Sequence, residues 1–136
     1  MPQIFQIVLH TQTGDLEDAG TDDDVYLGVC GREFHCDSAS DDFERGSAAT
    51  YVFGENANVS NPDLNDPRDH LLLTENVESL PTYLRFQGDD HWFLDRAGFY
   101  FNGEVFPQWD TASYLRGGIW LGPRAGMYVH IPKHKD

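Results

Sequence analysis

Basic residues are what this chain has least of. Nine Lys and Arg stand against 23 Asp and Glu, a formal net charge of -14 over 136 residues. Such an imbalance excludes nucleic acid as a partner, since phosphate recognition needs a basic face. It also opposes direct attraction to anionic membranes, unless a cation bridges or cancels the acids. Cysteine is nearly absent: Cys30 and Cys36 alone fit no zinc spacing and no disulfide framework, and are expected to pack as reduced, small hydrophobes. No apolar run is long enough to span a membrane, and Met1-Pro2-Gln3-Ile4-Phe5 lacks the basic start of a signal peptide. A cytoplasmic or peripheral membrane setting is the expectation that follows. No window of 11 or more residues carries helical periodicity, and no internal repeat is present.

What remains is a β sequence with an adequate core. Hydrophobic residues make up 40% and aromatics 13% of the chain, enough for one domain. Short strands are expected over Ile4 to Leu9, Val25 to Val29, Glu33 to Cys36, Ala49 to Phe53, Leu71 to Thr74, Tyr83 to Phe86, Gly98 to Phe101 and Met127 to Ile131. Asn102-Gly103 reads as a hairpin turn. About eight short strands with turns between them indicate an all-β antiparallel sandwich of a single domain, 1–136, ending in a polar tail from His130 that is expected to fray.

The acids are bunched. Six carboxylates lie between Asp15 and Asp24, with glycines at 14 and 20. Further runs follow at Asp37 to Glu44 and Asp89 to Asp95, the last expected in a turn. Loops at one end of a sandwich can gather such segments, and the resulting repulsion is the kind a divalent ion relieves. An EF-hand is excluded by register: counting from Asp15 puts Ala19 fifth and Tyr26 twelfth, where a Glu is needed. Asp22 to Asp24, and Asp15 after Thr13-Gly14, are as readily explained by turn-making and solvation. Gly-x-Ser-x-Gly, His-Glu-x-x-His and a Gly-rich phosphate loop are all absent, and no enzyme is expected.

Five motifs in order carry a resemblance: Thr13-Gly14-Asp15, Ala19-Gly20-Thr21-Asp22, Val25-Tyr26-Leu27, Phe43-Glu44-Arg45-Gly46-Ser47 and Trp92-Phe93-Leu94-Asp95. Over Gln3 to Glu104 the chain resembles the PLAT (LH2) domain, a module of polycystins, lipoxygenases, pancreatic-type lipases and clostridial alpha-toxin. The segment from Pro107 to Asp136 fits the pattern poorly, though Tyr114 to Leu121 could supply a last core strand. The resemblance implies an eight-stranded, C2-like antiparallel sandwich. It also implies a non-catalytic role in docking to lipid or membrane surfaces through Ca²⁺, or alternatively to a protein partner. The implied Ca²⁺ ligands are Asp18 with the Gly20 carbonyl, Asp42, and Asp95 with the Arg96 carbonyl, with Ser38 as a further contributor. Trp92 and Phe93 are the lipid-binding candidates. Of the two, Trp92 is the more suited to the core, and Phe93 faces the opposite side of any strand.

Overall fold

The computed structural model describes residues 3–104 and 108–133. Among the described residues nine strands form two antiparallel sheets: β1 Gln6–Thr13, β2 Asp24–Val29, β3 Arg32–His35, β4 Ala48–Gly54, β5 Tyr83–Gln87, β6 Trp92–Phe101, β7 Trp109–Asp110, β8 Ile119–Leu121 and β9 Tyr128–His130. The first sheet runs β4-β1-β6, with β7 and β8 sharing the far edge of β6; the second runs β3-β2-β5-β9. Helical structure among the described residues is confined to two 3₁₀ turns, Thr74–Asn76 and Thr111–Ser113. The all-β sandwich expectation is therefore met.

Period-2 alternation builds the core. Ile7 and Leu9 of β1, Val25, Leu27 and Val29 of β2, Phe34, Tyr51, Phe53, Leu84, Phe86 and Phe99 all point between the sheets and are fully buried. Each such aliphatic or aromatic side chain contributes about 1.5–3 kcal/mol on leaving water. The two cysteines are unpaired thiols, Cys36 buried and Cys30 half-buried.

The expected elements need several corrections. Leu71 to Thr74 is no strand: His70 and Leu71 take positive φ of 67° and 52°, which ends any extended run, and only a Gln3–Leu73 bridge remains. Ile4 lies ahead of β1, which instead reaches to Thr13, and the expected strand at Gly98 begins at Trp92. Asp95 therefore sits inside a strand and not in a turn. Asn102 and Gly103 do take the positive φ of a tight turn, 57° and 79°, but Phe99 pairs with Trp109, so they lie within a wider connection. Of Tyr114 to Leu121, Ile119–Leu121 alone is a strand. The tail does not fray as early as His130, since Ile131 is buried and its N–H donates to the Thr82 carbonyl. No helix among the described residues is long and apolar enough to cross a membrane.

Candidate binding site at the acidic end

The β1–β2, β3–β4 and β5–β6 connections meet at one end of the sandwich. Backbone hydrogen bonds tie them together: Gly14 N to the Phe93 carbonyl, Thr21 N to the Phe43 carbonyl, Phe93 N to the Ala19 carbonyl and Gly46 N to the Gly14 carbonyl. Asp23 adds a side-chain tie, accepting from Asp90 N at 2.8 Å. The three acidic runs are thus brought to one end, as the sequence led us to expect.

Their carboxylates have different fates. Asp18 lies at an exposed turn with φ of 62°, and its side chain makes no hydrogen bond or ion pair among the described residues. Asp42 is fully engaged: it accepts from Ser38 N at 3.0 Å, from Ser38 Oγ at 2.8 Å and from the Tyr51 hydroxyl at 2.7 Å. Beside it, the Asp37 carboxyl is held above the ordinary carboxylate range, by burial first and by the neighbouring Asp42 second. Asp95 is the extra residue of a β-bulge, since Gln12 and Thr13 of β1 oppose Arg96 and Leu94 and leave it unopposed. It too has no hydrogen-bond or ion-pair partner among the described residues. Arg96 turns its guanidinium away to Asp110 at 2.8 Å. Asp15 pairs with Arg45 at 3.0 Å and Asp24 with His35 at 3.0 Å, both in the open.

The implied carboxylates therefore line three separate hollows. Asp18 and Gly20 border one of about 260 Å³ with Asp22, Glu44 and Asp90. Asp42 borders another of about 230 Å³ with Asp22 to Asp24, Asp37 and Asp41. Asp95 borders a third of about 330 Å³ with Leu16 and Phe93. Among the described residues no three His, Cys, Asp or Glu side chains are set to hold one metal ion. Ca²⁺ takes six to eight oxygens, and the set Asp18, Ser38, Asp42 and Asp95 with the Gly20 and Arg96 carbonyls does not fit one as it stands. Asp42 and Ser38 serve each other instead.

The aromatic pair divides as β alternation requires. Trp92 is fully buried, its indole N–H donating to Thr13 Oγ1 at 2.9 Å and its ring 4.9 Å from that of Phe43. It presents nothing to a surface, which corrects its inclusion among lipid-facing residues. Phe93 faces outward but is half-buried, edge-on to Trp120 at 5.0 Å. Its ring lies so close over Gly14 and Gly118 that a Cβ there would come within 2.3 and 2.6 Å of it. Phe93 is therefore a wall and not a free wedge. Sequence reasoning missed three features: the Tyr51–Asp42 bond, the Trp120 cover, and Leu16, which is 45% exposed on the first acidic loop. The outward position of Leu16 beside Asp15 was the one signal available.

No protein-family model matches the chain. A phospholipase C of Paraclostridium bifermentans is 30% identical over 118 residues, which are 83% of this chain and 27% of that protein. The alpha toxin of Clostridium absonum superposes with a TM-score of 0.62 and 18% identity, over 95% of this chain and 31% of the toxin. A lipoxygenase variant superposes at 0.57 with 19% identity, over 96% of this chain and 16% of that one. This chain thus spans under a third of the length of each of these proteins. The shared architecture bears out the resemblance read from the five motifs: by its fold, the chain is a PLAT-type β-sandwich domain.

Proposed function

We propose that the chain is a non-catalytic docking module that meets a lipid or membrane surface with its acidic end, with Ca²⁺ as the cation drawn there. The observation that carries this reading is the convergence of three acidic connections at one end of a PLAT-type sandwich with net charge -14. The likeness to a phospholipase C and an alpha toxin supports it, the matched part of the toxin being its non-catalytic C-terminal domain. Asp18 and Asp95 are the proposed Ca²⁺ ligands with free carboxylates. Asp42 would first have to give up Ser38 and Tyr51. That engagement favours a second reading, in which the partner is a protein and any Ca²⁺ is structural.

Sedimentation with liposomes of phosphatidylcholine and phosphatidylserine, in Ca²⁺ and in EDTA, tests the proposal. Retention in Ca²⁺ alone is the expected result; no retention in either buffer hands the function to a protein partner. Melting curves add a second readout. Ca²⁺ at 100 times its dissociation constant adds about 2.7 kcal/mol to the unfolding free energy, a rise on the order of 10 °C for a domain this size. Mg²⁺ should do much less, because it sheds water reluctantly and wants a tighter octahedron.

A further inference from the structure

Another hollow, of about 300 Å³, opens on the outer face of the β4-β1-β6-β7 sheet. Strand register builds it. Gln12 of β1 stands between Ala48 of β4 and Arg96 of β6, and His10 stands between Thr50 and Gly98, with Asp110 of β7 beyond. Alternation turns these residues outward, whereas Thr11 and Ala49, which also line the hollow, turn their side chains toward the core. Gly98 carries no side chain and Ala48 only a methyl, so both leave room between taller polar neighbours.

The polar groups are fixed and, together, uncharged. Arg96 and Asp110 form a two-point ion pair, Nη2 to Oδ2 at 2.8 Å and Nε to Oδ1 at 3.4 Å, which orients the guanidinium and balances its charge. Asp110 is almost wholly buried and also accepts from Ala112 N at 2.7 Å. His10 Nδ1 is hydrogen-bonded to Thr50 Oγ1 at 2.9 Å, and burial lowers the imidazole pKa, so the ring is neutral at pH 7 (about half a unit above its ordinary value). Arg96 Nη1 and the Gln12 side-chain amide have no hydrogen-bond partner among the described residues.

This lining selects a ligand by elimination. An anion would meet an arginine already neutralised, on a chain whose net charge of -14 repels it. A metal ion or an ammonium would meet the exposed N–H donors of Arg96, with the one carboxylate buried and engaged. An apolar molecule would cover the Gln12 and Arg96 donors without replacing their water, leaving them unsatisfied. A neutral polyol meets none of these objections, because each hydroxyl both donates and accepts. Its hydroxyls match the Gln12 amide, the Arg96 N–H groups and the Thr50 hydroxyl, while the C–H face of its ring lies over Ala48 and Gly98. A hollow of about 300 Å³ stands at the small end of ligand sites, which suits a single ring.

Position in the fold names the source. At about 3.4 Å per residue, Gln12 and His10 lie about 7 and 13 Å along β1 from Gly14 at the acidic end. A surface met by that end would hold a sugar headgroup, which stands above the lipid phosphates, beside this hollow. Resting on the lipid-docking reading above, we propose that the hollow binds a neutral hexopyranose, the headgroup of a glycolipid in the docked surface. The sugar adds to docking through Ca²⁺ and does not replace it.

Methyl glucoside and methyl galactoside, titrated into the protein and followed by amide NMR shifts of Gln12, Ala48, Thr50 and Gly98, test the site. Saturable shifts are expected with at least one of the two glycosides, and none with sodium acetate. Gln12→Ala should weaken sugar binding about fivefold, as loss of one neutral hydrogen bond does. Ala48→Leu, which fills the floor from an exposed position, should abolish it. Should Ala48→Leu lower the melting temperature, Gln12→Ala still decides. No saturable shift with either glycoside, or equal shifts with acetate, overturns the inference. Vesicles of phosphatidylcholine and phosphatidylserine in Ca²⁺, with and without glucosylceramide or galactosylceramide, form the second arm. The glycolipid should raise retention severalfold for the parent and not for Ala48→Leu. Retention in Ca²⁺ with no glycoside shift would leave the docking reading standing without this site. Glycoside shifts with no gain from glycolipid would keep the site and overturn its lipid source.

Discussion

The β1–β2 and β3–β4 connections are both acidic, both lie at the same end of the sandwich, and each contains a residue at positive φ. At that point they part. The first places Asp18 there, a short polar residue that tolerates the left-handed region, and leaves its carboxylate in water. The second places Phe43 there at 58°, where a bulky side chain is rare, and drives its ring against Trp92 and Tyr51. One loop contributes only Ala19 to the core; the other contributes Phe43 and bonds its own Asp42 to Ser38 and Tyr51. Equal acidity therefore conceals unequal availability. What decides whether a carboxylate can meet a ligand is who already holds it.

Mutations that open the β3–β4 side should have the largest effects. Phe43→Ala and Trp92→Ala each remove a buried aromatic from this packing and should cost about 3–5 kcal/mol in urea denaturation. Leu16→Ala, the nearest apolar counterpart in the first loop, should change stability by less than about 0.5 kcal/mol. Equal losses would mean the first loop is packed in solution in a way its exposure denies.

Next comes the contrast of the two aspartates. Asp42→Ala leaves the Tyr51 hydroxyl and Ser38 N without their acceptor and should cost about 1–3 kcal/mol in EDTA. Asp18→Ala should lie within about 0.5 kcal/mol of the parent. If Ca²⁺ stabilises the protein, Asp18→Asn should reduce that gain more than Asp23→Asn, whose position already serves Asp90 N. An equal reduction would remove Asp18 from the ligand set.

A pH experiment sharpens the comparison further. The Asp37 carboxyl is raised in the folded state, so its ionised form opposes folding, and stability contributed by this group rises as pH falls through its folded value toward the ordinary carboxylate range. Glu33 runs the other way. Its hydrogen bond to Arg85 lowers its pKa, so its contribution is present above the ordinary range and is lost as pH falls through the lowered folded value. Asp37→Asn should therefore flatten the acid-side gain and leave the Glu33 loss untouched, read as melting temperature between pH 3 and 6 (about the carboxylate range). The smallest effect belongs to Arg45→Ala, since its pair with Asp15 is exposed on both sides and should be worth about 0–1 kcal/mol, falling with salt.

Much of the fold was legible because alternation is a local property. Val25-Tyr26-Leu27-Gly28-Val29 and Thr50-Tyr51-Val52-Phe53 state their faces outright, and the same rule set Trp92 inside and Phe93 outside. The two-residue β7 and the three-residue β8 carry too few residues for a period, and exist because β6 offers them an edge. At the site, the sequence gathered the three acidic runs to one end but not their partners. Tyr51 lies nine residues from Asp42, and Trp120 lies 27 from Phe93; neither separation leaves a trace in composition. The bulge at Asp95 is likewise a property of how two strands pair, invisible in either strand alone.

The two unpaired thiols make the molecule its own reporter. Cys30 is half-buried beside Gly31; burial raises its pKa, and its partial exposure leaves it within reach of an alkylating reagent as the chain breathes. Cys36 lies fully enclosed, and burial followed by the Asp42 charge pushes its thiol far above the ordinary range. Its modification must wait for the β3–β4 side to lift. The ratio of the two labelling rates thus clocks partial opening against peripheral fluctuation, and does so in the unmodified chain with no added probe.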